Sequence, residues 1–238
     1  MKTYQKNNEF SYALGAFPTF ELVKNRPDKT TSIIRHEKLT INESIEKLFA
    51  LAESNSIPIE TNSRLCEKLS PKENTFLIGV FSKYEMTLQK NENHIMLVNP
   101  SDMGNLGTIL RAALGFGINN VAVIGEHADY FNPKTVRASM GSIFSMNIQV
   151  FNDFSDYAAI HKNFPYPFML GAKTKLQQLN EANKPYVLIF GNESSGLPDS
   201  YLNIGTPIVI EHTQKIDSLN LPIAAALAMY HFDKISRY

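Results

Sequence analysis

Cysteine is nearly absent from the chain, since Cys66 is the only one among 238 residues. A lone cysteine cannot close an intrachain disulfide or build a multi-cysteine metal site, and this usage fits a reducing compartment. Neither sign of charge is in excess, because 23 Lys and Arg balance 23 Asp and Glu. That balance excludes a histone-like polycation, but it leaves open a nucleic-acid partner that binds a local basic patch.

Long hydrophobic runs are missing as well. The most apolar stretch, residues 219–229, is shorter than the roughly 18 residues that a membrane span requires. The N-terminal residues lack the apolar centre of a signal peptide. Hydrophobic residues still make up 43% of the chain, which predicts a folded core. We therefore expect a soluble, cytoplasmic protein of one large domain or two modest ones.

Several common catalytic signatures are also absent. The sequence has no G-x-x-x-x-G-K-[ST] phosphate loop and no G-x-S-x-G nucleophile elbow. Gly115 and Gly117 lack the third glycine of a dinucleotide fingerprint, and they follow a predicted helix instead of a strand. The six histidines show no spacing typical of metal ligands, so we expect no metal site.

Helix-like and strand-like patterns alternate along the chain, which predicts an α/β fold. In the first part we expect helices at 41–54 and 62–69 and strands at 57–60 and 76–81, followed by a polar linker at 83–93. Beyond the linker, short and almost continuously apolar runs indicate strands buried on both faces of a parallel sheet. These runs are 94–98, 120–124, 147–151, 168–171, 187–190 and 207–210.

The first polar segment that follows a predicted strand is NPSDMGNLGTILR, residues 99–111. It begins a helix that we expect from Asn105 to Gly115. In open α/β sheets, ligands bind at the carboxyl ends of the strands, where such loops gather. Arg111 lies within this otherwise apolar helix and needs a partner or solvent. Periodicity alone favours an ordinary surface arginine.

Two further polar segments follow predicted strands. In GNESSGL, residues 191–197, two glycines bracket Glu193, although an ordinary turn would explain this pattern equally well. The segment 210–221 leads into a last helix predicted at 218–234, with Asp217 or Ser218 as its N-cap. That helix is apolar on most of its circumference, which indicates a buried position at a subunit interface.

In this order, the segments resemble the motifs of the SpoU (TrmH-like) family of RNA 2′-O-ribose methyltransferases, within the SPOUT superfamily. The matching pieces are GNLGTILR at 104–111, VRASMGSIF at 136–144, GNESSGL at 191–197 and SLN at 218–220. For residues 93–238 the resemblance implies a SPOUT methyltransferase domain with a parallel sheet and a deep trefoil knot. For residues 1–88 it implies a small α/β, ribosomal-protein-like domain that binds the RNA substrate.

The resemblance also implies a cofactor, partners and site residues. The cofactor would be S-adenosyl-L-methionine, bound in the knot, and the enzyme would be a homodimer that joins through its C-terminal domain and acts on ribosomal or transfer RNA. The residues implied to hold the cofactor are Gly191, Ile210, Ser218 and Leu219. The residues implied to be catalytic are Asn105, Arg111, Glu193 and Asn220.

Each implied catalytic residue has an expected task. Arg111 would contact the RNA phosphate or help to activate the ribose 2′-hydroxyl, and Asn105 would shape the loop around it. Glu193 would position the substrate or the arginine. Asn220, together with Ser218, would position the cofactor and the acceptor ribose. Because the hydroxyl is a poor nucleophile, its alignment with the methyl group should supply much of the rate.

One segment departs from the family pattern, and two other classes of function compete. After Ile210 the family commonly has a proline and a glycine-containing loop, whereas this chain has EHTQK at 211–215. The main alternative is a non-catalytic RNA-binding or assembly protein that keeps the SPOUT fold; the retained Arg111, Glu193 and Asn220 argue against it. A small-molecule α/β enzyme with another nucleotide is disfavoured by the missing phosphate-binding signatures.

Overall fold

The computed structural model describes residues 3–70, 75–213 and 215–236. The chain forms two compact units. One takes the chain up to Glu85 together with Asp129–Ser145, and the other takes Met86–Ala128 and the chain from Met146 onward. The predicted division at 1–88 and 93–238 places residues 129–145 in the second domain, so the compact units differ from it in this segment.

Helices and strands alternate through both units, as the sequence pattern predicts. The helices are α1 (Ala16–Asn25), α2 (Glu43–Ser54), α3 (Ser63–Leu69), α4 (Met103–Gly115), α5 (Pro133–Ala138), α6 (Phe154–Ile160) and α7 (Leu221–Ser236). The strands are β1 (Phe10–Leu14), β2 (Thr30–Arg35), β3 (Ile59–Thr61), β4 (Leu77–Ser82), β5 (His94–Val98), β6 (Asn120–Ile124), β7 (Asn147–Phe151), β8 (Phe164–Pro167), β9 (Thr174–Lys175), β10 (Tyr186–Phe190) and β11 (Ile208–Val209).

The first unit is built on a four-stranded mixed sheet in the order β1-β4-β2-β3. Its α2 begins at Glu43, two residues after the predicted start, because the Asn42 side chain caps the helix and accepts a hydrogen bond from the Ile45 N–H at 3.1 Å. The segment 129–145 belongs here through aromatic packing: the Phe81 ring lies 5.7 Å from that of Phe131 and 5.1 Å from that of Phe144.

The second unit is built on a five-stranded parallel sheet in the order β7-β6-β5-β10-β8. Every residue of β5, β6 and β10 is buried, which confirms that these continuous apolar runs form the interior of a parallel sheet. Helix α4 packs against α7. None of the helices within residues 3–70, 75–213 and 215–236 combines the length and hydropathy that a membrane-spanning segment requires.

Three predicted elements lie elsewhere than expected. The strand predicted at 168–171 is wrong: β8 runs from Phe164 to Pro167, and its two prolines are tolerated because β8 is an edge strand that pairs only with β10. The run predicted at 207–210 is not part of the large sheet, since β11 pairs with β9. The last helix begins at Leu221, so neither Asp217 nor Ser218 is its N-cap.

A buried histidine ties β5 to α6. The Nε2–H of His94 donates to the Gln89 carbonyl oxygen at 2.9 Å, and its Nδ1 accepts from the Tyr157 hydroxyl at 2.7 Å. The neutral ring satisfies both contacts, whereas a charged ring would need two acceptors. Burial of the ring disfavours its charged form and lowers the pKa of His94 to about 4. Burial also lowers the pKa of the neighbouring His161.

We expect acid to destabilise this unit through His94. The folded pKa lies below the unfolded value of about 6.5, so the unfolded chain takes up the proton first and stability falls as the pH drops. Between about pH 7 and about pH 5 the free energy of unfolding should fall by about 2 kcal/mol. Urea unfolding at both pH values measures this loss. In the His94→Gln variant only the part of this loss that is due to His161 should remain. A wild-type free energy of unfolding that does not change with pH would contradict the assignment.

Candidate active site

A cavity of about 430 Å³ opens at the carboxyl ends of β8 and β10 in the second unit. Its volume is within the range of roughly 300–1,000 Å³ typical of small-molecule sites. The rings of Phe168 and Phe190 stack in its wall with their centroids 4.7 Å apart. The predicted site residues in its wall are Gly191, Glu193, Ile210, Ser218 and Leu219.

Gly191 leads from β10 into this cavity and leaves no room for a side chain. A Cβ atom at this position would lie 2.1 Å from the carbonyl carbon of Gly196 and 2.3 Å from the amide nitrogen of Leu197. The absence of a side chain at Gly191 therefore lets the backbone of its own loop, residues 191–197, fold back closely against it. Any larger residue would push this loop out of its place in the cavity wall.

The Glu193 carboxylate joins that loop to the start of α4. It accepts hydrogen bonds from the Ser101 hydroxyl at 2.8 Å, the Ser101 and Asp102 N–H groups at 3.2 Å each, and the Asn105 side-chain amide at 3.3 Å. Burial alone would raise the pKa of Glu193, but hydrogen bonds from its own backbone N–H and from Ser101 and Asp102 outweigh this effect and lower the pKa below its ordinary value. The ionised carboxylate therefore anchors two loops.

Asn192 organises the same loop from within. Its side-chain oxygen accepts hydrogen bonds from the Ser194 and Ser195 N–H groups at 2.9 and 3.2 Å, and its amide donates to the Asn99 carbonyl oxygen at 2.8 Å. Asn192 and Ser101 were not predicted as site residues. An asparagine followed by two serines is a usual Asx-turn signal that could have indicated Asn192. Nothing in the sequence distinguishes Ser101.

The cavity wall does not include three of the predicted catalytic residues, which are Asn105, Arg111 and Asn220. Arg111 is exposed on α4, and its side chain makes no hydrogen bond or ion pair within the part of the chain that the structure describes. Asn220 is exposed directly before α7, and its carbonyl oxygen accepts from the Ala224 N–H at 3.0 Å. The structure thus joins Asn105 to Glu193 at the cavity, but it does not bring Arg111 or Asn220 into the wall.

The loop that departs from the family pattern is held by side chains. The Lys175 ammonium lies 2.7 Å from the Glu211 carboxylate, and the Gln177 amide donates to the Glu211 carbonyl oxygen at 3.1 Å. The Nδ1 atom of His212 lies 2.9 Å from the Ile210 carbonyl oxygen. Gln214 lies outside the described residues.

Comparison with known proteins identifies a family and several relatives of this chain. The model of the SpoU rRNA Methylase family matches residues 92–230. The 23S rRNA (guanosine(2553)-2′-O)-methyltransferase RlmP of Bacillus subtilis is 31% identical over 137 residues, which cover 55% of this chain and 53% of RlmP. The 23S rRNA (uridine(2479)-2′-O)-methyltransferase of Streptomyces viridochromogenes is 26% identical over 144 residues, which cover 57% and 50%. The chain thus spans about half the length of these relatives.

Solved structures resemble almost the whole chain. The AdoMet-bound rRNA methyltransferase of Sinorhizobium meliloti superposes with a TM-score of 0.78 at 26% identity, over 95% of this chain and 87% of the other. The SpoU methyltransferase AviRb of Streptomyces viridochromogenes, in complex with AdoMet, reaches 0.80 at 18% identity, over 96% and 91%. The second similarity shows the fold alone.

Proposed function

Since the chain belongs to the SpoU rRNA methylase family, we propose that it transfers a methyl group from S-adenosyl-L-methionine to a ribose 2′-hydroxyl of RNA. The observation that carries this proposal is the cavity at the carboxyl ends of β8 and β10, whose wall contains all four residues expected to hold the cofactor. We propose ribosomal RNA as the substrate, because the two sequence relatives named above are 23S rRNA methyltransferases.

The cavity fits this cofactor in size and in character. Phe190 and Leu219 supply apolar wall against which a base can pack, and the carboxylate of Asp217 adds negative charge. The cofactor, when bound, supplies a methyl group on a positively charged sulfur. Gly191 keeps the loop 191–197 close enough to form one side of the site.

The remaining residues divide the work on the acceptor. Because the Glu193 carboxylate is occupied by donors from Ser101, Asp102 and Asn105, its role is to position α4 and not to accept the substrate's proton. The guanidinium of Arg111, without a partner in the described residues, is available for an RNA phosphate or for charge that develops at the 2′-oxygen. We assign Asn220 to positioning of the acceptor ribose.

The knot and the domain roles belong to the same proposal. Strand β10 lies between β5 and β8 although it follows β8 in the chain, and α7 then packs back on β10 and α4. We propose a trefoil knot at the cavity, and this strand order is consistent with it. The first unit would bind RNA through exposed basic side chains such as Lys24 and Lys38. A cytoplasmic location stays a prediction.

A homodimer is proposed from an apolar stripe on α7. Ile223, Leu227 and Tyr230 follow one another at helical spacing and are 53%, 43% and 59% exposed. Such a stripe along one helix face is typical of a protein interface. Since α4 packs against α7, this interface would also bring Arg111 near the second subunit.

We expect Leu227→Asp to convert the dimer into monomers, because it places a charge in the centre of the stripe. Light scattering coupled to size-exclusion chromatography measures the mass. The matched control is Ile160→Asp. This variant introduces the same charge at an aliphatic residue of α6 that is 48% exposed, and the protein should remain dimeric. A wild-type monomer, or a Leu227→Asp dimer, would contradict the proposed interface.

The proposed function is tested by calorimetric titration of the full chain. S-adenosyl-L-methionine and its demethylated product should bind, whereas ATP and NAD should not. Binding of neither adenosyl compound would overturn the assignment of the cavity, and with it the proposed activity.

A further inference from the structure

His212 is the one residue of the unusual loop 211–213 that lines the cavity, where it follows Ile210 by two positions. Glu211 before it and Thr213 after it are exposed. The family resemblance gives no role to this side chain. Its position in the wall makes it the part of the loop that can contact a bound ligand.

Two contacts restrain the backbone that carries His212. The Glu211 carboxylate lies 2.7 Å from the Lys175 ammonium, and the Glu211 carbonyl oxygen accepts from the Gln177 side-chain amide at 3.1 Å. These side-chain contacts restrain the loop where the family commonly uses a proline. The imidazole is therefore presented from a restrained backbone, which lowers the entropy cost of a contact with a ligand.

The imidazole is also oriented. Its Nδ1 lies 2.9 Å from the Ile210 carbonyl oxygen, and a carbonyl can only accept, so Nδ1 carries the proton. With the proton on Nδ1, the second nitrogen Nε2 is the ring atom that can accept a hydrogen bond from a ligand, and it makes no hydrogen bond within residues 3–70, 75–213 and 215–236. The Ile210 carbonyl oxygen already accepts this hydrogen bond from Nδ1. The same bond polarises the imidazole ring, which makes Nε2 a stronger hydrogen-bond acceptor for a ligand.

We propose that His212 is a specificity-determining residue of the cofactor site, and that its Nε2 accepts a hydrogen bond from the exocyclic amine of adenine. The inference rests on the proposed function. The same cavity is also lined by Phe168, Phe190 and Leu219, whose apolar side chains suit a flat base. A hydrogen-bond acceptor such as Nε2 in this cavity selects a base that carries an amine donor and rejects a base that carries a carbonyl oxygen at the same position.

The test compares S-adenosylhomocysteine with S-inosylhomocysteine, which carries an oxygen in place of the amine, by calorimetric titration of the full chain. The wild type should bind the adenosyl compound about tenfold more tightly, the scale expected for one hydrogen bond in a partly buried site. His212→Leu should weaken the adenosyl compound by about tenfold and bring the ratio of the two affinities near one. His212→Gln, whose amide oxygen can still accept, should keep part of the preference.

Thr213→Val is the matched control, since Thr213 belongs to the same loop but does not line the cavity, and its ratio should equal that of the wild type. If leucine disturbs the loop, as a changed thermal unfolding curve would show, His212→Ala gives the same comparison. If His212→Leu or His212→Ala keeps the wild-type ratio of the two affinities, this inference is overturned and the proposed function is left intact. A wild type that binds neither compound overturns the proposed function itself.

Discussion

Replacing Arg111 by alanine is expected to lower the single-turnover rate of RNA methylation by roughly a hundredfold or more, the scale of losing one preorganised electrostatic donor. A guanidinium that stabilises charge developing at the 2′-oxygen acts more strongly in the transition state than in the ground state. Cofactor affinity should be nearly unchanged, because Arg111 does not line the cavity. Stability should also be nearly unchanged, because the side chain is exposed and has no partner in the described residues.

Two further variants separate catalysis from general attraction to RNA. Arg111→Lys should recover only part of the rate, because an ammonium keeps the charge and loses the planar fork. Lys162→Ala removes the same charge from an exposed position at the end of α6 and should leave the single-turnover rate near the wild-type value. An Arg111→Ala enzyme that binds cofactor and methylates at the wild-type rate would show that Arg111 is an ordinary surface residue.

Gly191→Ala should abolish cofactor binding. The added methyl group would lie 2.1 to 2.3 Å from backbone atoms of Gly196 and Leu197, and backbone cannot move aside as a side-chain tip can. The loop 191–197 must therefore shift, which we expect to lower the free energy of unfolding by about 3 kcal/mol. Thermal unfolding and calorimetric titration with S-adenosylmethionine measure the two effects.

Gly115→Ala is the matched control for this substitution. A Cβ at Gly115 meets nothing within 4 Å, so alanine there should preserve both stability and cofactor binding. A Gly191→Ala protein with wild-type cofactor affinity would mean that the loop 191–197 does not form the wall of the cofactor site.

The interior of the parallel sheet is predictable because its pattern is local. Strands β5, β6 and β10 are short, largely apolar runs, and such a run is sufficient to predict a strand that is buried on both faces of the sheet. The edge strand β8 is not predictable in this way. Its Pro165 and Pro167 argue against a strand unless one already knows that no further strand pairs there.

The first unit shows which signals are missing. The sequence pattern predicts no helix or strand before residue 41, yet β1, α1 and β2 occupy this stretch. Helix α1 follows Gly15, which offers no side-chain cap, so the usual start signal of a capping side chain is absent.

The place of residues 129–145 depends on contacts that are distant in sequence. Phe131 and Phe144 pack on Phe81 of β4, and no local pattern indicates this. A fragment that begins near residue 92 would lose this packing. The proposed role of the first unit in RNA binding is therefore better tested by substituting Lys24 and Lys38 than by truncation.

The candidate site was predictable as far as its motifs extend. Glu193 and Asn105 lie in motifs and meet at 3.3 Å. Ser101 and His212 contribute through contacts that only the folded chain creates, with Glu193 and with the Ile210 carbonyl. The start of α7 was misplaced because Ser218 is a good cap by residue type, whereas the loop before Leu221 lines a cavity.

The most direct test of the account is transfer of a labelled methyl group from S-adenosylmethionine to ribosomal RNA by the purified full chain. The RNA is then digested to nucleosides and the labelled product is identified. We expect one labelled 2′-O-methylnucleoside with the wild type and its loss with Arg111→Ala. Label on a nucleobase, or no transfer to RNA from a strain that lacks the enzyme, would contradict the proposed ribose methylation.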